Sequence, residues 1–246
     1  MKKGFTLSEV LITLGIIGVV AALTMPVLIT KYEKKIMVER LKVAYSLLSQ
    51  AVKLSEASND ESINDWNTTL SAQQFGEKYI TPFLKHTKIC TAMTDGCWIT
   101  DDFNGYYDIA KTKIEDTVPY SLVLPNGMIV GVNNLIGYNL NLLIVDIDGP
   151  KGKNTMGRDV FCFYIFDKGN KVNANTSFSG GLYPGSYKGA NGEPQMDNAR
   201  TSLMTASTRN CNKNASDLGG GRPGGGAGCA AVIAIDGWTI APDYPW

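Results

Sequence analysis

Residues 1–35 read MKKGFTLSEVLITLGIIGVVAALTMPVLITKYEKK, and the uncharged run inside them, Val10 to Ile29, is 20 residues long. As a helix that run covers about 30 Å, the thickness of a bilayer's hydrocarbon core. A secretory signal peptide has a shorter apolar region closed by a small-residue cleavage site. Here the run is full length and flows into further helix, so it reads as a retained anchor. Val38, Leu41, Tyr45, Leu48 and Val52 then recur at spacings of three and four, with Ala44 and Ala51 flanking the same stripe. The phase extends one helix from Phe5 to about Ser58. At 1.5 Å per residue this is a rod of roughly 80 Å, more than one small domain covers, so half of it must find other partners.

Three features interrupt the uniformity of the anchor. Pro26 removes a backbone hydrogen bond and crowds the preceding turn, which predicts a kink or a locally unwound stretch. Gly18 with Ala22 spells a small-xxx-small face suited to close helix contact in lipid, and ordinary membrane glycines read the same way. Glu9 places a carboxylate at the mouth of the apolar run, where charge is costly unless neutralised. Within the segment the cations are Lys2 and Lys3, or a new amino terminus if the chain is cut; a glutamate resting among headgroups is the other reading.

Lys2-Lys3-Gly4-Phe5-Thr6-Leu7-Ser8-Glu9-Val10-Leu11 resembles the leader and processing motif of type IV pilins and type II secretion pseudopilins. The resemblance implies cleavage after Gly4 by a prepilin peptidase, N-methylation of Phe5, and a filament held by packed N-terminal helices. Glu9 would then pair with the amino group of Phe5 on a neighbouring subunit, and Pro26 matches the position where helices of this family bend or melt on assembly. Lys31, Lys34, Lys35, Arg40 and Lys42 outnumber Lys2 and Lys3, so charge counting does not set the orientation. The resemblance implies a leader in the cytoplasm, a single pass through the inner membrane and a body outside, waiting on an assembly platform.

Beyond Ser58 a polar stretch to about Thr69 reads as a connection, and a short amphipathic helix interrupted by Pro82 is expected over Ser71 to Leu84. Tyr120 to Leu124 and Met128 to Val132 flank Pro125-Asn126-Gly127 and predict a hairpin. Leu140 to Ile147 and Val160 to Phe166 predict two more strands, and Ala230 to Ile235 with Gly237 to Ile240 a last strand or hairpin. The expected fold is α+β and pilin-like: a long N-terminal helix, kinked near Pro26, packed on a small antiparallel sheet. The organisation is a leader over 1–4, a membrane and polymerisation half over 5–30, an amphipathic half over 31–58 and an extracytoplasmic head over 59–246. Residues 219–228 are low-complexity and read as a loop; no strand feeds them and no Lys-Ser/Thr ends them, so they do not spell a phosphate loop.

The chain has 23 basic and 23 acidic side chains, of which eight and four lie in residues 1–58, leaving 15 and 19 for the remainder. A body carrying net negative charge is a poor nucleic-acid clamp, and no nucleic-acid partner is expected. All five cysteines follow the anchor, where an oxidising compartment permits bridges. Cys90 with Cys97, and Cys211 with Cys229, are the preferred pairs, while Cys162 sits mid-strand as a buried thiol. Between two expected strands, Asp146, Asp148, Asn154 and Asp159 set hard oxygens that suit calcium, although the spacing is not that of an EF-hand. Lys151, Lys153 and Arg158 stand against a cation there, and a loop of side-chain-capped turns is the alternative.

Chemistry is not signalled. His86 is the only histidine, Asp101-Asp102 reads as a turn, and no nucleophile elbow or paired-histidine metal motif occurs, so the chain is not expected to be an enzyme. Asp243-Tyr244-Pro245-Trp246 either offers aromatics to a partner or packs on the sheet. The expected function is that of a structural subunit, major or minor, of a type IV pilus or secretion pseudopilus, found in the inner membrane and then in a surface or periplasmic filament. A filament-associated adhesin or DNA-uptake minor pilin is the alternative. Its partners would be homologous subunits, the prepilin peptidase and methyltransferase, and the assembly platform.

Overall fold

The computed structural model describes residues 4, 6–67, 69–91, 94–100, 103–104, 106–114, 118–135, 140–150, 154–166, 181–185, 199–205, 210–215 and 225–246. The chain divides into two compact units, Met1–Met37 and Val38–Trp246. The first is the front of helix α1, which spans Leu7–Asn59, 53 residues, with Pro26 inside it. The helix is assigned without a break through Pro26, so local unwinding is not present there. Leu11 is 61% exposed and Leu23 72%, and the most apolar stretch of the helix is uncovered among the described residues. The threonine hydroxyls of this half donate to carbonyls of the preceding turn: Thr13 to Glu9 and Val10, Thr24 to Val20, Thr30 to Pro26. The segment therefore carries its polar groups in a form lipid accepts.

In the second unit the rest of α1 buries most of the expected stripe: Val38, Leu41, Ala44, Leu48, Ala51 and Val52 are buried and Tyr45 is half-buried. The domain division at Met37 assigns this amphipathic part of the helix to the body. A 3-10 turn (Ile63–Asp65) follows, then α2 (Ala72–Phe75), which continues as a π turn over Gly76–Ile80 and a 3-10 turn over Thr81–Phe83. Ser71 starts α2 with a capping box completed by Gln74.

The strands are β1 (Lys88–Cys90), β2 (Thr94–Asp95), β3 (Trp98–Thr100), β4 (Phe103–Asn104), β5 (Tyr106–Tyr107), β6 (Lys113–Ile114), β7 (Tyr120–Val123), β8 (Ile129–Leu135), β9 (Leu140–Asp146), β10 (Val160–Phe166) and β11 (Gly181–Pro184). The main sheet has the order β1-β7-β8-β9-β10-β11 and every neighbour is antiparallel. Its hairpin between β7 and β8 turns on Pro125-Asn126-Gly127, with Gly127 at φ 86° and its N–H on the Leu124 carbonyl at 3.0 Å.

Register decides which side chains share a face. Phe163 lies opposite Leu143, Leu143 opposite Val132, and Val132 opposite Tyr120. That line faces the helix, for Tyr45 of α1 stacks on Phe163 at 6.1 Å and meets Trp238 at 5.4 Å. The other face carries Ile129, Leu142, Ile144, Val160 and Cys162, covered by Trp98, Tyr106 and Ile114 of the small outer strands. Gly131 lies on this second face. A Cβ there would collide with Val118 Cγ1 and come within 3.2 Å of the Trp98 ring, so the covering layer sits on bare backbone.

The carboxy-terminal region corrects one expectation. Residues Cys229–Ile235 form helix α4, not a strand, after α3 (Ala199–Met204). Ala230, Ala231 and Ala234 have the highest helix propensity, and a short apolar run does not by itself distinguish buried helix from buried strand. The expected hairpin over 237–240 is instead the helix's exit. Gly237 (φ 70°) and Trp238 (φ 60°) are left-handed, and their N–H groups return to the carbonyls of Ala234 and Ile233. This is the double bond pattern of a Schellman cap.

Candidate functional site

The helix start is built from a local exchange. Thr6 precedes α1 and Glu9 is its third residue; Glu9 Oε2 accepts from the Thr6 N–H and from the Thr6 hydroxyl, both at 2.8 Å. The Glu9 N–H in turn donates to Thr6 Oγ1 at 3.3 Å. Thr6-Leu7-Ser8-Glu9 is thus a capping box, a T-x-x-E signal that a search for cationic partners of Glu9 passes over. Gly4 is exposed with open space around its Cα, while Lys2, Lys3 and Phe5 lie outside the described residues. Pro26 stands between exposed Met25 and Val27 on the uncovered half of the helix.

A second constellation lies at the end of β9. Register sets Asp146 opposite both Ile129 and Val160, on the face away from α1. Its side chain is fully buried; Oδ1 accepts from the N–H groups of Asp148 at 3.2 Å and Gly149 at 2.8 Å, and Oδ2 has no hydrogen-bond partner among the described residues. Asp159 accepts the Thr155 N–H on its carboxylate and the Ile147 N–H on its carbonyl, the latter at 2.8 Å. Asn154 holds Tyr107 through its backbone carbonyl at 2.7 Å, yet both polar atoms of its buried side chain are unpartnered, as is Asp148 Oδ1.

Burial first, then the charges of Asp148 and Asp159, push the Asp146 carboxyl well above the usual carboxylate range. Burial likewise pushes Asp159 up to about 7, against the Thr155 N–H that favours its ionised form. Such a group of buried oxygens is relieved by protons or by a hard cation. Among the described residues no three His, Cys, Asp or Glu side chains converge as a metal-holding group, so a cation there needs Asn154 and backbone carbonyls as well. Lys151 and Lys153 lie outside the described residues; Arg158 lies over the Trp246 ring at 4.8 Å, and its charge still favours the ionised form of Asp159.

The cysteines pair as Cys90–Cys97 and Cys211–Cys229, with Cα separations of 6.2 and 4.6 Å. Cys162 is buried and forms no disulfide; its Sγ lies 3.8 Å from the Met156 sulfur. His86 uses Nδ1 on the neighbouring Leu84 carbonyl at 2.8 Å, a local turn contact. Asp101, Asp102 and residues 219–224 of the glycine-rich stretch lie outside the described residues.

The terminal aromatics pack. Tyr244 is buried and its hydroxyl donates to the Gly157 carbonyl at 2.5 Å, while Asp243 takes a fork of two bonds from Arg200 at 2.9 and 2.6 Å. Arg200 also reaches Asp236 at 2.5 Å. None of this local seating is visible in the sequence, because its partners lie far apart along the chain.

Residues 27–246 match the model of a family described as a family of unknown function (DUF6613). Residues 1–25 match the model of the prokaryotic N-terminal methylation motif. No curated protein and no solved structure matches the chain.

Proposed function

The chain belongs to the DUF6613 family of unknown function and carries at its front the methylation signal of type IV pilins and pseudopilins, and from that premise we propose that it is a structural subunit of a type IV pilus or secretion pseudopilus. It waits in the inner membrane with its body outside, is cut after Gly4, methylated on Phe5, and packs its front helix against those of other subunits. It performs no bond-making chemistry of its own.

The observation that carries this reading is the exposed front of α1, whose most apolar stretch is uncovered among the described residues. Such a surface needs lipid or further helices. On assembly Glu9 exchanges its local bonds to Thr6 for the Phe5 amino group of a neighbour. The test is mass spectrometry of the N-terminus together with sedimentation of filaments sheared from native cells. The expected mature chain begins at methylated Phe5 and pellets as a polymer, and Glu9→Ala is cleaved yet stays in the membrane fraction. A chain that keeps Met1 and never pellets refutes the reading.

We also propose calcium for the acidic pocket, supported by the unpartnered buried oxygens of Asp146, Asp148 and Asn154. Two carboxylates from among Asp146, Asp148 and Asp159, with Asn154 and backbone carbonyls, would hold the ion, which would supply charge neutralisation and no catalysis. Added calcium should raise the melting temperature of the full chain in detergent, and Asp146→Ala with Asp148→Ala should remove that gain. An intact protein that ignores calcium disposes of the idea.

A further inference from the structure

Three Asn-X-Ser/Thr triplets occur in the chain: Asn67-Thr68-Thr69, Asn175-Thr176-Ser177 and Asn214-Ala215-Ser216. In a protein outside the cytoplasm this triplet is the acceptor sequence for N-linked sugar. The second lies outside the described residues. In the third, Asn214 is exposed, but the next residue, Ala215, is 1% exposed with its carbonyl against Gly225, and Ser216 lies outside the described residues. The first is different.

Asn67 lies in the surface connection between the Ile63–Asp65 turn and α2, and Asp65, Asn67 and Thr69 are all exposed. The base of this connection is fixed: Trp66 is buried and stacks on Tyr79 at 4.4 Å, and the Asn67 N–H donates to the Tyr79 hydroxyl at 3.0 Å. Above it, the Thr69 hydroxyl and N–H both donate to Asn67 Oδ1, at 2.7 and 3.0 Å. The carboxamide oxygen is therefore turned back to the chain by the very threonine that defines the triplet. Among the described residues the exposed Asn67 offers its Nδ2 to no hydrogen-bond acceptor, and Thr68 lies outside them.

We propose that Asn67 is a site of N-linked glycosylation, the donor being a polyprenyl-pyrophosphate-linked oligosaccharide and the catalyst a membrane oligosaccharyltransferase. Asn67 Nδ2 attacks the anomeric carbon. The C–N bond forms as the C–O bond to pyrophosphate breaks, the lipid pyrophosphate leaves with the electron pair, and one Nδ2 proton passes to a base of the transferase. Asp65, two positions before the acceptor, gives this triplet a negative charge that the other two lack, since Asn173 and Asn212 stand at the equivalent places. The proposal rests on the extracytoplasmic placement of the body, since donor and transferase act there.

The experiment is glycopeptide mass spectrometry of the full chain isolated from its native cells, read on the tryptic peptide Leu54–Lys78 together with the N-terminal peptide. The expected result is a sugar increment on Asn67, lost entirely in Asn67→Gln and in Thr69→Val and retained in Thr69→Ser and Asn214→Gln. An unmodified Asn67 overturns the proposal whichever N-terminus the chain carries. A sugar-bearing Asn67 on a chain that keeps Met1 upholds it and overturns the filament reading alone.

Discussion

Glu9 folds back on Thr6, its Oε2 taking both the backbone N–H and the hydroxyl of that residue at 2.8 Å. The carboxylate expected to wait for a neighbour's amine is already engaged within its own first turn. Removing the hydroxyl by Thr6→Ala should cost about 1 kcal/mol of local helix stability. The amides of the first turn should then exchange several-fold faster, as measured by hydrogen exchange on the full chain in detergent micelles. Unaltered exchange would show that the cap contributes nothing.

Gly131 is the point where the outer layer touches bare sheet. Gly131→Ala drives a methyl into Val118 and the Trp98 ring, which should destabilise the body by about 1–3 kcal/mol. For a body of this size that corresponds to a fall in melting temperature of roughly 2–4 °C per kcal/mol. Gly15→Ala, with nothing near its Cβ, should leave the body's melting unchanged.

The two disulfides should differ in weight. Cys211–Cys229 spans a separation of 18 residues and Cys90–Cys97 one of 7. On loop-closure grounds, replacing the first pair by alanine should cost about 3 kcal/mol and the second somewhat less. Thermal unfolding followed by near-ultraviolet circular dichroism ranks them; a larger loss from the shorter loop would contradict the ordering.

Asp159 predicts an unusual pH response in the presence of chelator. Its carboxyl titrates near 7 in the folded chain against an ordinary value of 3.8, so the unfolded chain releases the proton first. Stability from this group is therefore highest below about pH 4, declines as pH rises, and is at its lowest above about 7, with a slope of at most about 1.4 kcal/mol per pH unit. Asp146 pulls the same way. Melting temperatures taken across this range should flatten in Asp159→Asn, and saturating calcium should flatten them in the parent chain.

What was legible in the sequence was what is local. The run of apolar residues to Ile29, the three-and-four spacing from Val38, and the turn Pro125-Asn126-Gly127 each carry their own structural instruction, and β10 coincides with the expected Val160 to Phe166. The two- and three-residue strands β2 to β6 are too short to show any period, and they exist because Trp98, Tyr106 and Ile114 cover one face of the sheet. Helix α4 is ambiguous in the sequence, because Val232, Ile233 and Ile235 favour a strand while Ala230, Ala231 and Ala234 favour helix, and the structure takes the helix. The acidic loop was visible as composition. That Asp146 lies buried opposite Val160 and Ile129 depends on strand register, which no single stretch of residues encodes.

The seating of the last residues makes the molecule sensitive to trimming. Loss of Asp243 to Trp246 would at one stroke strip Arg200 of its two-pronged anion, expose the Gly157 carbonyl 87 positions upstream of Tyr244, and release Arg158 from its aromatic cover. Damage to this segment would therefore be felt beside Asp159, as a loosened acidic loop.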